Sequence, residues 1–279
     1  MRICFTSDIH GDRSLYDQLT DLLRTETPDL LILGGDLVRD VKLDAPAGPQ
    51  LARLEREFME RVAAWRSGLP RLTVACIMGN HELAPFQDAS RRHHDAGRIV
   101  LLDHRQAWHY GGFAWLGYGC SPPSPHWAKD LERLDLPEDS IPAFPGVAWD
   151  PAEQRLQYVD LAAHFGGRAA MSQELAEIST PDGPWILVAH APPHETNLDR
   201  LPNVPYPIGS RAVRRFIEER QPALALHGHV HESPLLTGSF TDRLGTTLCV
   251  NPGQGRERLQ AVLFDLDQPA HTLRHTVFA

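Results

Sequence analysis

The feature that most restricts the fold of this chain is a series of short apolar runs, each followed at once by a polar cluster. The five clusters are Asp8-Ile9-His10, Gly34-Gly35-Asp36, Gly79-Asn80-His81-Glu82, His190-Ala191 and Gly228-His229-Val230-His231. Short apolar runs that end at glycine or turn residues are typical of buried strands. Because ligands bind at the carboxyl ends of strands in α/β sheets, the five clusters are predicted to form one site.

The order of the elements predicts an α/β fold. Strands are predicted at residues 2–7, 30–33 and 71–78. Helices are predicted between them at residues 14–25, with Ser14 as the cap, and at 50–66. A further helix is predicted at 209–220, and further strands within 98–118 (separated by Gly111-Gly112) and at 185–189, 223–227, 235–240, 246–250, 259–266 and 272–278. These strands are too many for one open sheet, which predicts two packed sheets with helices outside.

Residues 120–150 differ from the rest of the chain because they show no apolar periodicity. Prolines stand in this segment at positions 122, 123, 125, 137, 142 and 145. A long segment without periodicity is usually a functional loop or an insertion. We therefore predict one domain over residues 1–279, with 120–150 as an insertion or lid. A helical region is predicted to follow at 151–179, broken at Gly166-Gly167.

Composition and charge exclude some classes of protein. Charged residues make up 23% and hydrophobic residues 42% of the 279 residues, as in a folded globular protein. The 27 basic and 36 acidic residues give a net charge of −9, which disfavours nucleic acid and anionic lipid as general partners. The N-terminus runs straight into a strand, and no apolar stretch is long enough to cross a bilayer, which predicts a cytoplasmic protein.

The side chains in the five clusters are those of a transition-metal site. Asp8 and His10 are two residues apart and point to the same side of an extended strand end. Carboxylate and imidazole without thiolate suit Mn, Fe or Zn. The two Asp, one Asn and five His are too many for one ion, but they fit two ions with Asp36 between them and His81 left over. Two such ions can activate a water and clamp the attacking and leaving oxygens of a displacement.

Each of these residues also has a purely structural interpretation. Asp8 can cap the helix that follows it, and Asp36 can be a turn residue. A lone His190 after an apolar strand is more often a hydrogen-bonded core residue. The recurrence of all five clusters in order favours the metal site instead. His227 is predicted to be a core or supporting group, and the other histidines, His126 included, to be solvated or packing groups.

The five clusters together resemble the calcineurin-like metallophosphoesterase family, whose pattern reads DxH, GD, GNH[D/E], H and GHxH in that order. This chain matches every block between residues 8 and 231. The resemblance implies a two-sheet β-sandwich flanked by helices and an enzyme that hydrolyses phosphate esters with two metal ions. It also implies that a hydroxide bridging the two ions attacks phosphorus directly.

The same resemblance implies a role for each site residue. The implied ligands of one ion are Asp8, His10 and His231, those of the other ion are Asn80, His190 and His229, and Asp36 bridges the two. His81 would hydrogen-bond the substrate phosphate without holding an ion, and it would stabilise or protonate the leaving oxygen. Glu82 would lie behind this residue and orient the His81 ring.

The leading expectation for function is phosphodiesterase activity on a small or cyclic-nucleotide-like substrate. The alternatives within the family are a phosphomonoesterase and a protein phosphatase. Ser/Thr protein phosphatases read GDxVDRG where this chain has Gly35-Asp36-Leu37-Val38-Arg39-Asp40, and the interchange of Arg and Asp disfavours that alternative. A non-catalytic metal-site module is disfavoured because His81 and every ligand are present.

Overall fold

The apolar runs assemble into two sheets in the computed structural model, which describes residues 1–40 and 51–278. The first sheet contains β1 (Arg2–Thr6), β2 (Leu30–Leu33), β3 (Thr73–Cys76), β4 (Val100–Leu101), β13 (Val262–Asp265) and β14 (Arg274–His275). Its order is β14-β13-β1-β2-β3-β4, in which β1 to β4 are parallel and the other two are antiparallel to their neighbours. The parallel strands bring the residues after β1, β2 and β3 to one edge of the sheet.

Polar clusters also follow two strands of the second sheet, β9 (Trp185–Ala189) and β10 (Leu224–Leu226). The second sheet also contains β5 (Trp108–Tyr110), β6 (Phe113–Tyr118), β11 (Thr241–Leu244) and β12 (Thr247–Val250). Its order is β11-β12-β10-β9-β6-β5, and its four central strands are parallel. A separate hairpin pairs β7 (Val147–Asp150) with β8 (Arg155–Tyr158). Because β9 and β10 are neighbours, the residues that follow them lie side by side.

Helices flank the two sheets. They are α1 (Arg13–Glu26), α2 (Glu60–Gly68), α3 (Ala84–Asp95), α4 (Leu161–Gly166), α5 (Met171–Ala176), α6 (Arg211–Arg220), α7 (Ser233–Thr237) and α8 (Pro269–Thr272), with a π-helical segment at Leu54–Met59. The Asp12 and Ser210 side chains cap α1 and α6 by accepting hydrogen bonds from backbone amides in the first turn. Within residues 1–40 and 51–278, no helix is long and apolar enough to cross a membrane.

The alternation of side chains along the strands divides the core into layers. Ile3 and Phe5 of the first sheet pack in one cluster with Ile186 of the second, so this layer lies between the sheets. Cys4 points the other way and belongs to the cluster that contains Leu19 of α1. The first sheet is therefore covered on both faces, which explains why a central strand such as Leu30–Leu33 is apolar along its whole length.

The predicted fold class is confirmed, because two sheets flanked by helices form an α/β structure. The predicted cap of the first helix, Ser14, is wrong. The helix begins at Arg13, and the Asp12 carboxylate, not Ser14, accepts the hydrogen bond from the Leu15 amide. Residue 50 of the helix predicted at 50–66 lies outside the described residues.

Two other element predictions are wrong for local reasons. The strand predicted at 235–240 is replaced by α7, because Pro234 suits the first turn of a helix and Gly238 ends it in a left-handed conformation (φ 73°). The helical region predicted at 151–179 begins only at Leu161, because the preceding Arg155–Tyr158 pairs with β7 instead. The break at Gly166-Gly167 is confirmed, since α4 ends there.

Candidate metal centre

The turns after β1, β2 and β10 hold four predicted ligands in a left-handed backbone conformation. The φ angles are 58° at Asp8, 49° at His10, 53° at Asp36 and 66° at His229. This conformation is uncommon for residues other than glycine and costs about 1–3 kcal/mol at each position. Such strain persists where the surrounding structure enforces it, often at functional sites. Here the strained positions coincide with the predicted site.

The first group of donor atoms comes from Asp8, His10, Asp36 and His231. One atom of each residue lies within 4.8 Å of the others. The Nε2 atoms of His10 and His231 are 3.2 Å apart, and His231 Nε2 is 3.3 Å from Asp8 Oδ1. His10 Nε2 is 3.7 Å from Asp36 Oδ2. Ligand atoms about 2.1 Å from a tetrahedral ion are about 3.4 Å apart, so these spacings suit a single ion.

The second group of donor atoms comes from Asn80, His190 and His229. Asn80 Oδ1 lies 3.1 Å from His190 Nε2 and 3.0 Å from His229 Nδ1. Asp36 belongs to both groups, because its Oδ2 atom is 3.5 Å from His190 Nε2 and 3.7 Å from His10 Nε2. The structure therefore brings every predicted ligand together in two groups, with one Asp36 oxygen between them.

The hydrogen bonds of His190 show that the second group suits a cation. Its Nδ1 donates to the Gly34 carbonyl at 2.8 Å, which leaves Nε2 facing Asn80 Oδ1 and Asp36 Oδ2. In the neutral ring that nitrogen carries only a lone pair, so that acceptors face one another. Burial alone would lower the pKa of His190, but Asp36 and then Asp8 outweigh it and raise the pKa to about 9. These atoms require a proton or a metal ion between them.

Two glycines allow the polar clusters to approach this closely. A Cβ atom at Gly79 would collide with the Asp36 carboxylate, and one at Gly228 would collide with Ser7 and with the Asp8 carboxylate. Neither glycine has a left-handed backbone, so close approach and not turn conformation requires them. A larger residue at either position would push a carboxylate out of its donor group.

Glu82 does not orient His81, which corrects the role that the family resemblance implies for it. Its Oε2 atom accepts from the backbone amides of Asp36 and Gly79 at 2.9 and 2.7 Å. Its Oε1 atom accepts from the amides of Leu37 and Val38 at 2.6 and 3.3 Å. The side chain is fully buried, and all four partners are donors, which suits a carboxylate. Glu82 therefore supports the site by joining the loop after β2 to the turn after β3.

His81 is held by Asp40, a residue that the sequence reasoning missed. The Nδ1 atom of His81 is 2.7 Å from Asp40 Oδ1, and its Nε2 atom is 3.8 Å from Asp36 Oδ2. Burial alone would lower the pKa of His81, but the carboxylates of Asp36 and Asp40 outweigh it and raise the pKa to about 9. The two carboxylates therefore favour the protonated form of the ring. The only signal in the sequence was a carboxylate four positions after Asp36.

The segment at residues 120–150 also reaches the site, through a histidine whose sequence context predicts only a solvated or packing group. The His126 ring stacks on His81, with centroids 3.6 Å apart and 19° between the planes. No spacing or periodicity in the proline-rich segment signals this contact. His227, in contrast, is buried as predicted and donates from Nδ1 to the carbonyls of Ala189 and Ala191.

Comparison with known families decides the class of the protein. Residues 1–233 match the model of the calcineurin-like phosphoesterase family. The chain belongs to this family. Its members are hydrolases with a dinuclear metal site, so this calcineurin-like phosphoesterase hydrolyses phosphate esters in a metal-dependent reaction. The resemblance drawn from the five clusters is thereby confirmed.

Solved structures share the fold of this calcineurin-like phosphoesterase. One crystal structure is 19% identical, covers 100% of this chain and 99% of its own, and has a TM-score of 0.60. The crystal structure of TT1561 of Thermus thermophilus is 17% identical, covers 98% of this chain and 97% of its own, and has a TM-score of 0.58. A third, of an archaeal phosphodiesterase, is 10% identical over 99% of this chain and 98% of its own, with a TM-score of 0.46. The first two show the fold alone, and no curated protein matches the chain significantly.

Proposed function

We propose that this calcineurin-like phosphoesterase hydrolyses a small phosphodiester, of the size of a cyclic nucleotide, at a centre of two transition-metal ions. The proposed ligands of one ion are Asp8, His10 and His231, those of the other are Asn80, His190 and His229, and Asp36 bridges them. Imidazole, amide and carboxylate donors without a thiolate favour Mn, Fe or Zn. When bound, two such ions supply positive charge for the phosphate and an activated water for attack.

His81 is the proposed acid of the reaction. Because Asp40 holds its Nδ1 atom, the Nε2 atom is directed to the space in front of Asp36. A protonated imidazole in that position hydrogen-bonds a phosphate oxygen and transfers its proton to the leaving oxygen. Asp40 keeps the ring in this orientation and stabilises its charge.

The charge beside His81 supports a diester over a monoester, and this observation carries the proposal. Asp40 lies on the open side of the site, where its side chain is 44% exposed. A phosphomonoester carries close to two negative charges at neutral pH, whereas a diester carries one. The Asp40 carboxylate therefore repels a monoester more strongly than a diester.

The insertion supports a small substrate. The His126 ring covers one face of His81, and a folded protein substrate would have to displace it to reach that residue. We propose that residues 120–150 form a lid on a single domain that spans residues 1–279. The cytoplasmic location expected from the sequence also stays a prediction.

The proposal is tested by comparing substrates with Mn²⁺ supplied. We expect kcat/KM to be higher for bis-p-nitrophenyl phosphate and cyclic nucleotides than for p-nitrophenyl phosphate. The variant Asp40→Asn should lower all of these rates, because His81 loses its charged partner. It should also narrow the preference for diesters about 5-fold, the effect of roughly 1 kcal/mol of charge repulsion. The variant Asp21→Asn removes a carboxylate that is 77% exposed and serves as the control.

Two results would contradict the diester assignment. One is a wild-type preference for p-nitrophenyl phosphate over the diester. The other is a ratio of diester to monoester rates that does not change in Asp40→Asn although both rates fall. In that case Asp40 would act on His81 alone and would not select the substrate by its charge.

A further inference from the structure

The turn after β12 is a buried polar segment that the five clusters do not include. It contains Asn251, Pro252, Gly253 and Gln254, all of them buried. The Asn251 Oδ1 atom accepts from the Gly253 amide at 2.8 Å, and Gly253 has a left-handed backbone (φ 67°), so the turn is closed by its own contacts. The side-chain amide nitrogens of Asn251 and Gln254 are left to donate to other parts of the chain.

Asn251 donates to the turn that carries His229 and His231. Its Nδ2 atom lies 3.1, 3.3 and 3.1 Å from three backbone carbonyls, those of Leu198, Gly228 and Val230. The Gly228 carbonyl belongs to the peptide group directly before His229, and the Val230 carbonyl belongs to the one directly before His231. One side chain therefore contacts the backbone directly before two of the proposed ligands.

Gln254 donates to the turn that carries Asp8. Its Nε2 atom is 2.9 Å from the Ser7 carbonyl, which belongs to the peptide group directly before Asp8. Its Oε1 atom accepts from the Gln260 amide at 3.0 Å, so the side-chain amide is held at both ends. The backbone amide of Gln254 also donates to the His231 carbonyl at 3.2 Å. Gln254 thus connects the ligand turn after β1, in the first sheet, with the ligand turn after β10, in the second.

Two of these peptide groups precede ligands with a strained backbone. The φ angles of Asp8 and His229 are 58° and 66°, a conformation that residues other than glycine keep only where their surroundings enforce it. The φ angle of a residue is measured against the planar peptide group before it, so a hydrogen bond that fixes this group restricts φ. The bonds from Gln254 to the Ser7 carbonyl and from Asn251 to the Gly228 carbonyl supply this restriction.

We propose that Asn251 and Gln254 are positioning residues of the metal centre, whose side-chain amides hold His229 and Asp8 in the conformation that binds the ions. The proposal rests on the function proposed above, because it takes Asp8 and His231 as ligands of one ion and His229 as a ligand of the other. It adds the turn after β12 to the five strand ends that build the site.

Metal affinity tests the proposal directly. Gln254→Met keeps the length of the side chain but removes its donor and its acceptor, and we expect it to weaken Mn²⁺ binding at one ion, the one held by Asp8. Asn251→Ala should weaken binding at both ions, because Asn251 contacts the peptide groups before His229 and His231. The expected loss is about 10- to 100-fold, the range for groups that orient metal ligands. Calorimetric titration of the chelator-treated proteins with Mn²⁺ measures it.

Hydrolysis provides a second readout. The Mn²⁺ concentration that gives half-maximal hydrolysis of bis-p-nitrophenyl phosphate should rise with the loss of affinity. At saturating Mn²⁺, kcat should return close to the wild-type value, because neither variant removes a group that is proposed to contact the substrate. A kcat that stays low in fully metal-loaded variants would overturn the positioning role.

Gln221→Met is the matched control. The Gln221 side chain makes a similar set of bonds at the opposite end of β12, where its Oε1 accepts from the Thr246 amide and its Nε2 donates to the carbonyls of Ile217, Glu218 and Leu244. We expect this variant to have a lower melting temperature, as the other two have, but an unchanged affinity for Mn²⁺. An equal loss of affinity in Gln221→Met would show a general effect of stability and would overturn the proposal.

Wild-type affinity for Mn²⁺ in Gln254→Met would also overturn it, and this variant decides alone if Asn251→Ala does not fold. Failure of the proposed function is seen separately, in the wild type. If the wild type binds Mn²⁺ but hydrolyses only monoesters, the diester assignment fails, and the Mn²⁺ affinities of the variants still decide the roles of Asn251 and Gln254.

Discussion

The candidate metal centre and the segment at residues 120–150 both bury charged side chains, but they neutralise these charges in different ways. In the metal centre, Asp8 and Asp36 are each 1% exposed and face imidazoles. In the 120–150 segment, Lys129 and Glu132 are 0% exposed and neutralise each other at 2.6 Å. Buried carboxylates without a lysine or arginine beside them need a bound cation or proton to neutralise their charge. In an ion pair the two side chains neutralise each other. The first arrangement is that of a binding site and the second that of a structural support.

The strongest test of this difference is Asp36→Asn. We expect the wild type to carry close to two equivalents of transition metal, and the variant to lose both, because the Asp36 oxygen lies between the two donor groups. Phosphoester hydrolysis should disappear with the metal, as it should when the wild type is treated with a chelator. Elemental analysis measures the occupancy, with Asp21→Asn as the control. Loss of a single ion would show that Asp36 does not bridge.

The second test separates a proton donor from a ligand inside the metal centre. We expect His81→Ala to keep both metal ions and to lower kcat by about 10²- to 10⁴-fold, the range for a general acid. The reason is that the Nδ1 atom of His81 is engaged by Asp40, so that the ring is available for proton transfer. Steady-state kinetics and metal analysis of the same preparation measure both effects. Metal loss in His81→Ala, but not in the exposed His109→Ala, would assign this histidine to the ligands instead.

The third test asks whether the charges of Lys129 and Glu132 in the 120–150 segment neutralise each other. We expect Lys129→Met to lower the free energy of unfolding by about 3–5 kcal/mol, because it leaves the Glu132 carboxylate buried without its partner. The double variant Lys129→Met with Glu132→Leu should recover most of this loss, since no buried charge remains. Urea unfolding at neutral pH measures all three proteins.

A surface ion pair provides the control for that measurement. Arg215 and Glu219 are 2.7 Å apart, but their side chains are 75% and 52% exposed. We expect Arg215→Met to leave the free energy of unfolding nearly unchanged, because an exposed ion pair contributes little to stability. If Lys129→Met changed the free energy of unfolding as little as Arg215→Met, water would reach the Lys129–Glu132 pair. The pair would then not stabilise the turn at residues 124–132.

The same contrast explains how much of the molecule was predictable from its sequence. The proposed ligands of the metal centre follow directly after strands, and the carboxyl ends of parallel strands meet at one edge of a sheet. Local sequence patterns were therefore enough to predict that Asp8, Asp36 and His190 lie close together, as they do in the structure. The two sheets followed in the same way from apolar runs of strand length.

Long-range contacts were the part that the sequence could not predict. Asp40 reaches His81 across 41 positions, and Glu82 reaches the Leu37 amide across 45. The turn that carries His126 contains the buried ion pair between Lys129 and Glu132. Apolar periodicity in the sequence does not reveal such a pair. The strand predicted at 235–240 is wrong although the local signals were present. Pro234 and Gly238 mark the start and end of a short helix, but the prediction gave more weight to the apolar residues between them.

The smallest predicted effect concerns a buried group that is neither a ligand nor part of an ion pair. His275 is 5% exposed; its Nε2 donates to the Pro252 carbonyl at 2.9 Å, and its Nδ1 accepts from the amides of Val277 and Phe278. Burial lowers the pKa of His275, against the effect of the Pro252 hydrogen bond. Its neutral form alone fits these contacts, because a protonated ring has no acceptor for the two amides.

The sign of the pH dependence follows from that lowered pKa. As the pH falls below about 6.5, the unfolded chain takes up a proton at His275 before the folded protein does, so stability is complete above this pH and is lost below it. We expect the wild type to lose up to about 1.4 kcal/mol more than His275→Gln between pH 7.5 and 5.5. The difference between the two urea unfolding series cancels the titration of the metal centre, which both proteins share. If the stability of the two proteins changed equally with pH, His275 would take up its proton at the same pH in the folded protein as in the unfolded chain. His275 would then not be held in its neutral form by burial.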